Sequence, residues 1–192
     1  MHDLVPLTPL GGDSAQSETI RNVTISEMPD FAYASMAMRL GRKTGFQRAA
    51  KKATGISPPP PGESAAIKVG TGMLTIFWTG ADQFMVEAPY ATHFDLAAQL
   101  GSTVKDNASV TEQNDGWVRF DLTGDDCVSV LERLSAADSA DMQSGAVTRT
   151  TIEHLGCFLL CRKAATHFSV ICPRSGAASM YHALVTMAQS AL

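Results

Sequence analysis

Four consecutive prolines, Pro58-Pro59-Pro60-Pro61, followed by Gly62, limit what this chain of 192 residues can fold into more than any other feature. Proline lacks a backbone N–H and drives the residue before it out of helical geometry, so neither a helix nor an inner strand can cross positions 58–61. The run favours an extended connector. What precedes it is chemically distinct. No acid lies between Asp30 and Glu63, whereas Arg39, Arg42, Lys43, Arg48, Lys51 and Lys52 fall within fourteen residues. That segment carries +6 and the remainder −10, giving the net charge of −4. Together these features predict an N-terminal arm over residues 1–64 and a compact domain over residues 65–192. The arm is expected to hold strands near Arg21–Ile25 and Phe31–Arg39, a basic helix near Phe46–Ala53, and the proline connector.

The second part has clear punctuation. Gly72–Trp78 is a β-branched and aromatic run stopped by Thr79-Gly80, and Gln83–Glu87 resumes it, which predicts a hairpin. Thr92 can cap a helix running to Leu100 and ended by Gly101. Gly116–Leu122 reads as a strand carrying Trp117, Arg119 and Asp121. Thr123-Gly124-Asp125 then opens a helix whose Cys127, Val130, Leu131 and Leu134 share a face. Val147–Leu160 and His167–Cys172 form an expected hairpin around Arg162–Thr166. Ser175 can cap a last helix with Met180, Tyr181, Leu184, Met187 and Ala188 on its inner stripe. This order predicts an α+β fold, a mostly antiparallel sheet with helices packed on one face.

Composition narrows the function classes. Apolar residues at 45% and charged residues at 18% suit a globular core, and an acidic balance argues against a general nucleic-acid binder. The apolar stretch from Val69 to Ala81 is interrupted by glycines and too short to span a bilayer. The first twenty residues lack an apolar h-region, so the expectation is a soluble cytoplasmic protein without a signal peptide. Cys127, Cys157, Cys161 and Cys172 lack CxxC spacing and read as reduced, buried thiols.

Catalytic chemistry is not visible in the residues. Cys157, Cys161 and His167 are expected to share one face of a hairpin. The two thiols would still lie roughly 13 Å apart along a strand, too far to hold one zinc, so no metal site is expected. No GxSxG elbow, Walker loop or GxGxxG is present, and the five histidines are isolated in sequence. Asp121, Asp125 and Asp126 surround a strand-to-helix turn, where acids suit helix capping. One feature stands above this background. The bases Arg39, Arg42, Lys43, Arg48, Lys51 and Lys52 form either a solvated basic face or a docking surface for an acidic partner.

A family resemblance supplies what spacing does not. The run Val110-Thr111-Glu112-Gln113-Asn114-Asp115-Gly116-Trp117, followed by Phe120-Asp121-Leu122-Thr123-Gly124, resembles the gamma subunit of heterotetrameric sarcosine oxidase. So do Thr148-Arg149-Thr150-Thr151-Ile152-Glu153-His154-Leu155, Phe168, Pro173-Arg174-Ser175 and Ala178-Ser179. Trp78-Thr79-Gly80-Ala81-Asp82 resembles the family's W-x-G-x-D turn. The chain departs from the family at Asn114, often serine, and at Asp138-Ser139, an Asp-Leu pair. The resemblance covers residues 65–190 and, more loosely, 20–64. It implies the fold of the folate-binding domain of aminomethyltransferases. It also implies a complex with alpha, beta and delta subunits that demethylates sarcosine oxidatively to glycine, with tetrahydrofolate accepting the one-carbon unit. FAD, FMN, NAD, tetrahydrofolate and zinc would be held by the other subunits, and this chain alone would be inactive. Two alternatives remain open: the small subunit of a related N-methyl amino acid dehydrogenase complex, and an independent folate-binding one-carbon protein.

Overall fold

The computed structural model describes residues 6–191. Eleven strands build two antiparallel sheets among these residues, and five α-helices accompany them. The chain divides into two compact units, neither of them continuous in sequence. Within the described residues, unit 1 is 6–29, 116–144 and 148–191, and unit 2 is 30–115 and 145–147.

In unit 1 the strands are β1 (Ser17–Ile20), β2 (Val23–Glu27), β8 (Trp117–Gly124), β9 (Val147–Ile152), β10 (Leu155–Lys163) and β11 (His167–Pro173), in the order β1-β2-β8-β11-β10-β9. Register puts Val118, Phe120 and Leu122 of β8 opposite Cys172, Val170 and Phe168 of β11, so these side chains share a face. Helices α4 (Cys127–Leu134) and α5 (Ala177–Ala191) serve that face, with Tyr181 meeting Phe120 at a ring separation of 5.7 Å. The apolar stripe Cys127, Val130 and Leu131 of α4 is fully buried, as are Met180, Leu184 and Ala188 of α5. Gly124 ends β8 at φ 130°, and a Cβ there would overlap the backbone carbonyl of Asn22, so only glycine fits.

Unit 2 has the sheet order β4-β5-β6-β3-β7, from β3 (Phe31–Met38), β4 (Ser64–Val69), β5 (Gly72–Gly80), β6 (Gln83–Pro89) and β7 (Ala108–Glu112). Its helices are α1 (Lys43–Thr54), the single turn α2 (Tyr90–His93) and α3 (Leu96–Val104). The core joins Ala32, Ala34 and Met36 of β3, Leu74 and Ile76 of β5, and Val86 and Ala88 of β6. Phe46 and Ala50 of α1 and Leu96, Leu100 and Val104 of α3 close it.

Several expectations change. Residues 1–64 are not an arm: β1 and β2 pair into one sheet, while β3 lies inside the other, between β6 and β7. The composition boundary at the prolines is a boundary of chemistry, and backbone pairing ignores it. The stretch 147–160 is two strands rather than one, because Glu153 and His154 take φ of 47° and 65° and reverse the chain without glycine. Gly101 does not end α3, which continues to Val104. Ser175 lies within a 3₁₀ turn, Arg174–Gly176, that leads into α5. Strands β1, β4 and β7 have no counterpart in the sequence reading.

Candidate functional site: a basic helix beside a proline-walled pocket

Helix α1 is amphipathic by spacing. Phe46, Ala50 and Thr54 recur every four residues and are buried, while Arg48 and Lys52 lie on the opposite side and Lys51 on the flank, all three exposed. Its carboxyl end is well made. Gly55 takes φ 77° and donates its N–H to the Lys51 carbonyl at 2.9 Å, and the Thr54 hydroxyl donates to the Ala50 carbonyl at 2.9 Å. Lys51 and Lys52 in the last turn complement the helix dipole. The amino end is the reverse. Arg42 occupies the N-cap without a side-chain capping bond, Lys43 follows, and the first turn holds no acid.

The entry to α1 is fixed by a tight turn. The Met38 N–H donates to the Asp82 carbonyl at 2.9 Å, Arg39 N–H to Asn107 at 3.0 Å, and Arg42 N–H to Arg39 at 3.0 Å. Leu40 sits at the tip of this turn, fully exposed. All six bases, Arg39, Arg42, Lys43, Arg48, Lys51 and Lys52, are solvent-exposed. Arg39 reaches Asp106 at 3.7 Å in an exposed pair that contributes little.

Beside the helix lies a pocket of about 540 Å³. Pro58–Pro61 form one wall. Trp78, Met38, Phe46 and Phe84 supply apolar surface, and Lys43, Gln47 and Asp82 are its charged and amide side chains. Phe46 and Phe84 stack with centroids 5.6 Å apart, which joins the helix to β6. The β5–β6 turn is shaped by a bulge between Trp78 and Gly80 and by Asp82 at φ 57°. The proline run is tied at its carboxyl end: Glu63 N–H donates to the Pro60 carbonyl, and Trp78 N–H to the Glu63 carbonyl. The sequence shows each part of this pocket separately, the proline run and the W-x-G-x-D turn. Their meeting depends on β-pairing across some twenty residues, which no local signal reports.

A second polar cluster lies in unit 1. Asp121 accepts from Arg119 Nε at 2.7 Å and Nη2 at 2.6 Å, and from Ser169 Oγ at 2.6 Å. His167 Nε2 stands 3.0 Å from its Oδ2. Arg162 Nε donates to Ser169 at 2.8 Å. Burial raises the Asp121 pKa, but the bonds from His167, Arg119 and Ser169 and the Arg119 charge outweigh it. The carboxyl is held well below the usual range. Such a carboxylate is a locked anion, not a base poised near neutrality. The expected helix-capping role of Asp121 is thus replaced by a place inside β8. Asp126 does sit at the N-cap of α4, where its carboxylate accepts from Asn22 rather than from the helix backbone.

The four thiols are buried and free. Burial pushes Cys127 and Cys172 up to about 12 and Cys157 up to about 11, with Asp126 and Asp125 adding to the rise at Cys127. Cys161 is raised by burial as well. Cys157 and Cys161 do not share a face with His167. Cys161 pairs with Phe168, so His167, the next residue of β11, alternates to the opposite face, where it meets Asp121. Among the described residues no group of three or more His, Cys, Asp or Glu side chains is placed to hold a metal ion. No described helix is long and apolar enough to cross a membrane.

No protein-family model matches the chain, and no curated protein matches it. Solved structures do. A chain of heterotetrameric sarcosine oxidase from Corynebacterium sp. U-96, in complex with pyrrole 2-carboxylate, superimposes with a TM-score of 0.76 at 18% identity. The match covers 90% of this chain and 87% of that one. Aminomethyltransferase T of the glycine cleavage system from Bartonella henselae matches with a TM-score of 0.61 at 12% identity. That match covers 85% of this chain but 45% of the transferase, so this chain spans under half of that enzyme's length. The α+β architecture with two antiparallel sheets is therefore the fold that the resemblance implied, shared with aminomethyltransferase and with a sarcosine oxidase chain.

Proposed function

We propose that this chain is a small non-catalytic subunit of a heterotetrameric, flavin-dependent sarcosine oxidase, the counterpart of its gamma subunit, and that it helps hold larger subunits together. The observation that carries this reading is the near end-to-end correspondence with one chain of such an enzyme, 90% of one on 87% of the other. The side-chain chemistry supports it. Asp121 is saturated by donors, the thiols are protonated at neutral pH, and the most prominent surface feature is an exposed basic helix suited to an acidic partner. On this reading alpha, beta and delta subunits are the partners. FAD, FMN, NAD, tetrahydrofolate and zinc belong to them, and demethylation of sarcosine to glycine takes place there.

The test is gentle purification of the tagged chain from its own cells, reading native mass, subunit composition and visible absorbance on one sample. The expected result is a yellow complex of four different chains, while the chain alone leaves sarcosine unoxidised. A colourless particle of 20.4 kDa that persists at low salt would refute the reading. Titration with tetrahydrofolate then tests the independent one-carbon protein. The same complex turning over another N-methyl amino acid in place of sarcosine would identify the related dehydrogenase.

A further inference from the structure

We infer that the pocket between Pro58–Pro61 and Trp78, with the Leu40 turn at its side, receives an acidic segment of a partner chain carrying one large apolar side chain. This rests on the subunit reading and names the chemistry of the partner at that surface. The pocket volume, about 540 Å³, is within the range that encloses a bulky group. Four prolines and three aromatic rings make up much of its wall, and the proline backbone is fixed in φ, so that side of the cavity is held open at little entropy cost of ordering on binding.

Charge selects the occupant. Lys43 and Gln47 line the pocket one helical turn apart, and Lys51 continues the same stripe another turn along. Arg42 and Lys43 stand at the amino end of α1, where the dipole disfavours cations and no first-turn acid offsets them. Carboxylates arriving here would meet both the cationic side chains and the positive end of the helix. The lone opposing charge on the pocket wall is Asp82. Leu40 adds the apolar element: a leucine wholly in water on a turn tied at Met38, Arg39 and Arg42. Apolar surface that includes a tryptophan, with Lys43 on its wall and Arg42 next to it in sequence, has the anatomy of a protein interface.

The experiment uses the complex purified as above. A zero-length carbodiimide should join Lys43 and Lys51 to Asp or Glu within one segment of a partner subunit. Radical footprinting should show Met38, Leu40 and Trp78 protected relative to the same complex dissociated in high salt. Leu40→Ser combined with Lys43→Glu changes two exposed side chains, and should weaken association about tenfold or more at physiological salt with an unchanged circular dichroism spectrum. Trp78→Ala is read beside it with the same spectral control. The inference is overturned if the complex forms but Lys43 and Lys51 stay uncoupled while Lys68 and Lys163 couple, or if Trp78 is as reactive in the complex as outside it. Coupling at these lysines between isotopically distinct copies of this chain would assign the face to self-association and overturn it equally. A chain that binds no partner at all removes the subunit reading, and this inference with it.

Discussion

Asp121 accepts hydrogen bonds from two nitrogens of Arg119 and from Ser169, beside the His167 ring, so its negative charge is worth more in the folded chain than in water. Because its pKa is depressed by folding, the stability it supplies is present above the unfolded value of about 4 and is lost as pH falls below it. Asp121→Asn should cost about 3–5 kcal/mol at pH 7 by removing the buried carboxylate charge to which Arg119 and Ser169 donate. In urea titrations the variant should also lose less stability than the parent between pH 5 and pH 3. A parallel loss in both would show that Asp121 is not the group responsible. The thiols make a second test. With burial raising all four, Ellman's reagent at pH 8 should find almost no fast-reacting sulfur in the folded chain and four after unfolding. The sequence shows Arg119 and Asp121 two apart on a strand, hence on one face. It does not show that this face is buried, because charged side chains usually mark the solvent side.

Helix α1 separates folding from surface chemistry cleanly enough to test each alone. Phe46 is 2% exposed and stacks on Phe84, so Phe46→Ala should destabilise the chain by about 3–5 kcal/mol. Reversal of Arg48, Lys51 and Lys52 to Glu should shift thermal stability little, since all three are exposed, yet weaken assembly of the complex. A reversed variant that assembles normally at physiological salt would remove α1 from the interface. Elements with strong local signals were legible: the 72–87 hairpin, α1, α4, and the strand at 31–39. The missed strands share a physical cause. Strand β4 is an edge strand with three exposed positions, and β1 is a four-residue edge, so neither carries the buried alternation that marks a strand. The turn at Glu153-His154 carries no local signal, because left-handed backbone is normally announced by glycine or asparagine.

For the whole molecule, the fold class followed from the order of strands and helices, while its partition did not, because long-range pairing leaves no trace in composition. A chain beginning at residue 65 would lose β1 and β2 from one sheet and β3 from inside the other. It should therefore be recovered as an aggregated or unfolded product, judged by solubility and near-ultraviolet circular dichroism. A soluble, cooperatively melting 65–192 fragment would contradict the topology described above. The same topology has a consequence for birth on the ribosome. Strand β2 leaves the tunnel early, yet Val23 must find Gly124 and Glu27 must find Phe120. At a synthesis rate of about 5–20 residues per second, the β1–β2 hairpin waits roughly 5–20 s with its inner edge unsatisfied. Through that interval its apolar Val23 and Ile25 are a target for any nascent neighbour or chaperone.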